Sequence, residues 1–172
     1  YGGGALYLAF GLMAALWERK SSGRGQVVDA AMVDGAGSLA SIFYGLHAAG
    51  SWDGPLGGIL LDGGAPFYDT YETADGKWIS LGPLEPKFFA EFVQRSGLDA
   101  RYVKLQYDRR EWPAMRAAVT ALFKSRSRED WCAVLEGSDA CFAPVLSFAE
   151  APLHHHAQAR GSFVTVDGVP QP

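Results

Sequence analysis

Cysteine is scarce in this chain. Its two cysteines, Cys132 and Cys141, form no Cys-x-x-Cys pair, which is the spacing typical of zinc and redox sites. So few cysteines in 172 residues indicate reduced thiols, and they predict a cytoplasmic protein, or a peroxisomal or mitochondrial one in a eukaryote. A single disulfide between the two residues stays open as an alternative.

A surplus of positive charge is also lacking. The 15 lysines and arginines are outnumbered by 19 aspartates and glutamates, the net charge is −4, and no basic stripe runs through the sequence. Because a basic patch or stripe is the usual footprint of nucleic-acid binding, we expect no nucleic-acid partner.

Hydrophobic runs are too short for a bilayer. The apolar run at residues 5–17 falls short of the about 20 residues that a spanning helix needs, so we expect no membrane partner. The chain begins at Tyr1 without an initiator Met and without the basic segment of a signal peptide. We therefore expect a fragment of a longer protein, with a first helix that other surfaces cover on most sides.

The composition that is present, 48% hydrophobic and 20% charged, is that of a folded globular domain. Before the Gly- and Pro-rich stretch at residues 50–66, the pattern predicts helices over 5–20 and 31–49 and a short strand at 26–29.

After that stretch the elements become mixed. Asp75-Gly76 between two strand-like runs predicts a β-hairpin. The further predicted elements are helices over 86–96 and 112–124, capping-box starts at Ser127 and Ser147, an edge strand over 141–146 that carries a proline, and an irregular tail from about residue 160.

This order of elements predicts an α+β fold, with apolar N-terminal helices followed by a small α+β domain that holds a short antiparallel sheet. We expect residues 1–64 to form a helical segment and linker, 65–150 the small domain, and 151–172 a C-terminal tail.

Glu85 is the best candidate for chemistry. It follows a predicted strand and precedes Pro86, which suits the first position of a helix, so its carboxylate lies where the helix dipole favours negative charge. Such a glutamate suits orienting a histidine, although an ordinary helix cap is the alternative. Tyr68 and Leu84 either line an apolar pocket beside it or belong to the core.

Gly2, Gly3 and Gly4 precede the first predicted helix, where free N–H groups can bind an anion or an oxyanion. A flexible entry turn is the simpler interpretation. Asp62 lies in a Gly-rich loop, where an Asx-type turn is a sufficient explanation. Asp69 is interpreted as a surface charge of the hairpin.

The run His154, His155 and His156 suggests a metal site. Consecutive residues point in different directions on a helix, however, and no cysteine or acidic residue lies at ligand spacing. We therefore predict a polar surface run and no metal site. His47, inside an apolar helix, is interpreted as a core or interface histidine.

Several stretches together resemble the alpha-methylacyl-CoA racemases of the family III CoA-transferase superfamily. They are residues 23–35, 61–76, 84–86, 139–146 and 160–163. Gly-Gly-Ala-Pro-Phe-Tyr at 63–68 and Leu-Glu-Pro at 84–86 are the specific elements, whereas Gly-Arg-Gly-Gln at 23–26 is shared more widely across the superfamily.

The resemblance implies a large Rossmann-like domain that holds most of the CoA site, a small α+β domain, and an interlocked homodimer. Residues 1–64 would then belong with the large domain, and the tail would return toward it. The implied reaction inverts the carbon α to the thioester of an acyl-CoA substrate. A base removes the α-proton, an enolate forms, and an acid on the other face returns a proton, with no cofactor beyond the CoA of the substrate.

The resemblance also implies the site residues. The two bases, a histidine and an aspartate, would lie upstream of Tyr1, so the isolated chain is expected to be inactive. Glu85 would partner the histidine. The implied substrate-binding residues are Gly2, Gly3, Gly4, Leu61, Gly63, Gly64, Tyr68 and Leu84.

Two alternatives stay open. The first is a true CoA-transferase that uses the upstream aspartate as a nucleophile, although the Gly-Gly-Ala-Pro-Phe-Tyr loop favours a racemase because the transferase branch has a longer glycine run there. The second is a non-catalytic domain used for assembly.

Overall fold

The N-terminal part of the chain is helical. The computed structural model describes residues 1–52, 54–55 and 57–172, and the chain divides into two compact units, Tyr1–Pro55 and Leu56–Pro172. Helices α1 (Ala5–Ser22), α2 (Met32–Leu39) and α3 (Ser41–Ala48) build the first unit. Gly23, with a φ of 70°, ends α1 in the left-handed conformation that glycine adopts without strain.

Two predictions for this unit are wrong. The single helix expected over 31–49 is broken at Ala40, where the Ser41 hydroxyl donates to the Ser38 carbonyl at 2.5 Å and competes with the helical hydrogen bonds. The strand expected at 26–29 pairs with no other strand among the described residues, and an isolated strand lacks the ladder that would stabilise it.

Large apolar side chains of the first unit are exposed. No residue of α1 is buried, and Phe10 and Trp17 are 77% and 73% exposed. The cover expected for the first helix is therefore absent among the described residues. None of the helices described combines the length and the hydrophobicity that crossing a bilayer requires.

The second unit holds an antiparallel sheet in the order β1 (Asp69–Glu72), β2 (Trp78–Leu81), β3 (Phe142–Val145). Asp75-Gly76 turns the chain between β1 and β2. Strand β3 lies at the edge, where Pro144 opposite Ile79 is tolerated because an edge strand does not need every N–H. Helices and a short antiparallel sheet together confirm the α+β fold class.

Helices cover this sheet, and their bounds follow sequence signals. They are α4 (Pro86–Ser96), α5 (Tyr102–Leu105), α6 (Trp112–Phe123) and α7 (Arg128–Leu135). Pro86 begins α4 and Gly97 ends it, as predicted. Ser127 and Asp130 exchange hydrogen bonds in the predicted capping box of α7.

The core of the second unit is rich in aromatic residues. Helix α4 contributes Phe89 and Phe92, α6 contributes Phe123, and α7 contributes Trp131, all fully buried. The Phe123 and Trp131 rings meet edge to face with centroids 5.2 Å apart. Burying each of these rings stabilises the fold by roughly 1.5–3 kcal/mol, so this cluster accounts for much of the stability of the unit.

The C-terminal tail is more regular than predicted. After a 3-10 turn at Ala151–Leu153 come helix α8 (His155–Arg160) and a hairpin of β4 (Val164–Val166) and β5 (Val169–Gln171). Asp167 and Gly168 join the strands with φ values of 50° and 81°, the positive pair that a tight hairpin turn requires. The prediction of an irregular tail is therefore wrong, since Asp-Gly between short apolar runs is a hairpin signal here too.

Candidate functional site

A pocket of about 480 Å³ opens beside the sheet of the second unit. The predicted binding residues Leu61, Gly63 and Tyr68 line it. So do Gly82, which directly follows β2, and Cys141, which directly precedes β3. The Gly82 N–H donates to the Cys141 carbonyl at 2.9 Å and joins the two segments that form this wall. The fold thus brings three of the predicted residues to one concave surface.

Asp62 shapes the loop that forms the opposite wall. Its carboxylate accepts N–H groups of Gly57, Gly58, Ile59 and Gly64 at 2.8–3.2 Å. Desolvation acts to raise the pKa of this carboxyl, but the backbone hydrogen bonds outweigh it and hold the pKa below its usual value. The bond from Gly64, two residues on, is the predicted Asx-type turn.

Both glycines of this loop are required by its geometry. Gly63 has a φ of 87°, in the left-handed region that favours glycine. A Cβ on Gly64 would overlap the carbonyl oxygen of Ile59. Gly64 does not line the pocket. Because it has no side chain, it lets the loop fold back on itself.

Arg116, on α6, fastens the same loop to the sheet. Its guanidinium donates to the Asp69 carboxylate at 2.5 Å and to the carbonyls of Gly63 and Gly64 at 2.5 and 3.1 Å. The interpretation of Asp69 as a surface charge is wrong, because the side chain is half-buried and paired. Arg116 was not predicted, although a charged residue one turn after the buried Trp112 on an amphipathic helix is a signal that could have found it.

Glu85 is the N-cap residue of α4, as predicted. Its carboxylate is exposed and makes no capping hydrogen bond with any described residue. An ordinary surface position at the helix start stays the alternative to a role in chemistry. The backbone just before it is held firmly: the Leu84 carbonyl accepts the Gln106 side-chain amide at 2.9 Å and the Tyr107 hydroxyl. Gln106 and Tyr107 were not predicted, since nothing in their spacing points to residues 84–85.

The charge of Glu85 reaches the wall of the pocket. Burial, followed by the neighbouring Glu85 carboxylate, raises the pKa of the Cys141 thiol, and Cys141 lines the pocket. Leu84 packs against the core and is only partly buried. Both cysteines are free thiols.

The triple glycine lies in the first unit and packs tightly. A Cβ on Gly3 would lie 2.9 Å from the Ala36 amide nitrogen, and one on Gly4 would lie 2.9 Å from Cγ of Met32. Close packing against α2 thus accounts for both residues. Among the first N–H groups of α1, that of Leu6 donates to the Tyr1 carbonyl at 3.2 Å. Anion binding by the glycine turn stays a prediction.

The structure bears on two interpretations of histidines. His47 is exposed, and its Nδ1 donates to the Trp52 carbonyl at 2.9 Å. It is therefore no core residue, and its place at an interface stays a prediction. His154 and His155 come together with Glu136, within 4.8 Å of one another through their ligand atoms. Sequence spacing offered no acidic partner for these histidines, and the fold brings Glu136 next to them.

Comparison with known proteins gives a consistent result. The family model described as CoA-transferase family III matches residues 1–171. The chain is 42% identical over 165 residues to alpha-methylacyl-CoA racemase of Mus musculus and 39% identical over 165 residues to that of Homo sapiens. Each alignment covers 96% of this chain and 43% of the relative.

Among solved structures, Rv3272 from Mycobacterium tuberculosis superposes with a TM-score of 0.69 at 18% identity. The match covers 91% of this chain and 41% of that one, and it shows the fold alone. The chain therefore spans less than half the length of the proteins that it matches.

Proposed function

The chain belongs to CoA-transferase family III, and we propose that it is part of a 2-methylacyl-CoA racemase. The observation that carries this proposal is the 42% and 39% identity to two alpha-methylacyl-CoA racemases over 96% of the chain. Because the alignments cover 96% of the chain, they extend through both units.

The pocket of the second unit supports the proposal. Leu61 and Tyr68 offer apolar surface for an acyl chain, and the Asp62–Gly64 turn gives the loop a fixed shape. Ligand sites are usually such largely preformed apolar concavities with few polar groups. We propose that this surface, together with Leu84, faces the acyl-CoA thioester.

Glu85 has a supporting role in the proposed reaction. A base removes the α-proton of the thioester, the negative charge moves to the thioester oxygen, and an acid on the opposite face returns a proton. We propose that the exposed Glu85 carboxylate orients the histidine that performs one of these steps and stabilises its charged form. Gly2, Gly3 and Gly4 would offer N–H groups to the thioester oxygen.

The bases themselves are matched to no residue of this chain, so we propose that the chain alone does not racemise. In the whole protein, residues 1–64 would belong with a large CoA-binding domain, 65–150 would form the small domain, and 151–172 would return toward the large one. An interlocked homodimer in the cytoplasm, with no cofactor beyond the CoA of the substrate, completes the proposal.

The decisive experiment compares proton exchange with CoA transfer. The full-length protein is incubated with one epimer of a 2-methylacyl-CoA in heavy water, with and without an acceptor carboxylate. We expect α-deuterium uptake and inversion that do not depend on the acceptor, and no exchange above blank for the isolated chain. CoA transfer to the acceptor without α-exchange would replace the racemase with a transferase, and exchange by the isolated chain would refute its inactivity.

A further inference from the structure

We propose that Glu136, His154 and His155 form a binding site for a divalent transition-metal cation such as Zn²⁺. The site lies at the C-terminal end of α7 in the second unit, and it is independent of the proposed racemase chemistry.

The donor atoms are already close together. His154 Nε2 lies 3.1 Å from Glu136 Oε1, and His155 Nε2 lies 3.8 Å from the same oxygen. All three ligand atoms fall within 4.8 Å of one another. In a tetrahedral zinc site with bonds of about 2.0–2.1 Å, ligand atoms stand about 3.4 Å apart. The His155–Glu136 pair therefore has to close by about 0.4 Å, and no pair has to close by more than about 1.4 Å.

Neighbouring histidines can share a cation here because a helix begins between them. His154 is the N-cap of α8, with extended backbone angles of −65° and 134°, whereas His155 is its first helical residue. The two rings therefore lie side by side, with centroids 4.4 Å apart. The rule that consecutive side chains diverge holds within one regular element, and this pair spans the boundary of one.

The chemistry of the donors suits zinc. Two imidazoles and one carboxylate are common zinc ligands, and three protein ligands leave a fourth position for water. Glu136 is also the C-cap of α7, where the negative end of the helix dipole favours a cation. His154 Nδ1 accepts the His156 N–H only at 3.4 Å, so moving the ring proton to Nδ1 to free Nε2 gives up a weak hydrogen bond.

A cation held here would fasten the tail to the domain. Glu136 ends α7, and the two histidines begin the segment that continues into α8 and the β4–β5 hairpin. Coordination would replace the Glu136–His154 hydrogen bond with metal–ligand bonds that join the two segments.

The test uses tag-free full-length protein and zinc alone, titrated by calorimetry, with variants H155A, E136Q and H156A. His155 is exposed, so H155A is expected to leave the fold intact, and His156 is the matched control because its ring lies outside the cluster. We expect H155A and E136Q to weaken zinc binding at least ~10-fold, since even outer-shell changes cost about 10–100-fold. The wild type and H156A should bind equally, and zinc should raise the Tm of both but not that of H155A.

Three results would overturn the proposal. They are the absence of zinc binding by the wild type, equal binding by the wild type and H155A, and a loss in H156A as large as that in H155A. The last would mean that the histidine run binds zinc by itself, without Glu136.

Discussion

The two units use apolar residues in opposite ways. In the second unit, fully buried residues such as Phe89, Phe92 and Phe123 pack into one continuous core. In the first unit, Gly35 alone is buried among the residues that the structure describes there, and Phe10 and Trp17 stand exposed. Hydrophobic content therefore does not separate the units; the placement of hydrophobic residues along the helices does.

Periodicity explains this difference. Helix α4 buries Phe89, Phe92 and Val93, spaced three and four residues apart, and keeps a polar face for water. Helix α1 is apolar on every side and has no such face. The second unit is thus equipped to bury its own core, whereas the first presents exposed apolar side chains.

The largest effect we expect is self-association through the first unit. Covering roughly 400 Å² of apolar surface at about 25 cal/mol per Å² is worth about 10 kcal/mol before the cost of association, so the isolated chain should form a dimer or a larger assembly. Light scattering after size exclusion measures this directly. A monomer of 18.5 kDa at micromolar concentration would contradict it.

A matched pair of substitutions locates the contact. Phe10 in the first unit and Phe148 in the second are both largely exposed. F10E should shift the assembly toward monomer, whereas F148E should not. Equal shifts would mean that association does not run through the first unit.

The next largest expected effect is a difference in stability between removing a buried aromatic ring and removing an exposed one. Phe123 is fully buried, so F123A should lower the free energy of unfolding by ~3–5 kcal/mol. F10A should change it by less than ~0.5 kcal/mol, as surface substitutions generally do. Urea denaturation at low protein concentration compares them, and similar losses would refute the contrast between the units.

A smaller effect is expected at the loop of the pocket. R116A leaves the Asp69 carboxylate and two carbonyls without their donor and should cost ~1.5–3 kcal/mol of stability. R110A removes an exposed ion pair with Asp108, which water screens, and should cost clearly less stability than R116A. Denaturation midpoints decide between them, and equal midpoints for the two variants would show that Arg116 does not fasten the loop.

Local signals in the sequence predicted much of the second unit. Pro86 and Gly97 bounded α4, and Asp75-Gly76 placed the first hairpin, because a proline ring and a positive φ act on the residues that carry them. The hairpin at Val164–Gln171 had the same Asp-Gly signal but was missed.

What sequence could not predict depends on contacts between distant residues. Arg116 meets the Gly63 carbonyl across 53 positions, and His154 meets Glu136 across 18. The position of Arg116 one turn after the buried Trp112 is a local signal, but the partner in either pairing is not, because the packing of whole helices brings the partners together. The position of Glu85 at the start of α4 was predicted because helix-start signals are local. The Gln106 and Tyr107 groups that bind the Leu84 carbonyl were not predicted.

The most direct test of the proposed function measures α-proton exchange in the full-length protein carrying E85Q, with E91Q as the control. Glu85 is the N-cap of α4, whereas Glu91 lies within the helix and pairs with Arg95 on the surface at 2.8 Å. We expect E85Q to fold normally and to slow deuterium uptake by up to ~10²–10⁴-fold, with an altered pH profile, and E91Q to exchange at the wild-type rate. Wild-type exchange and an unchanged pH profile in E85Q would remove Glu85 from the reaction and contradict the site proposed here.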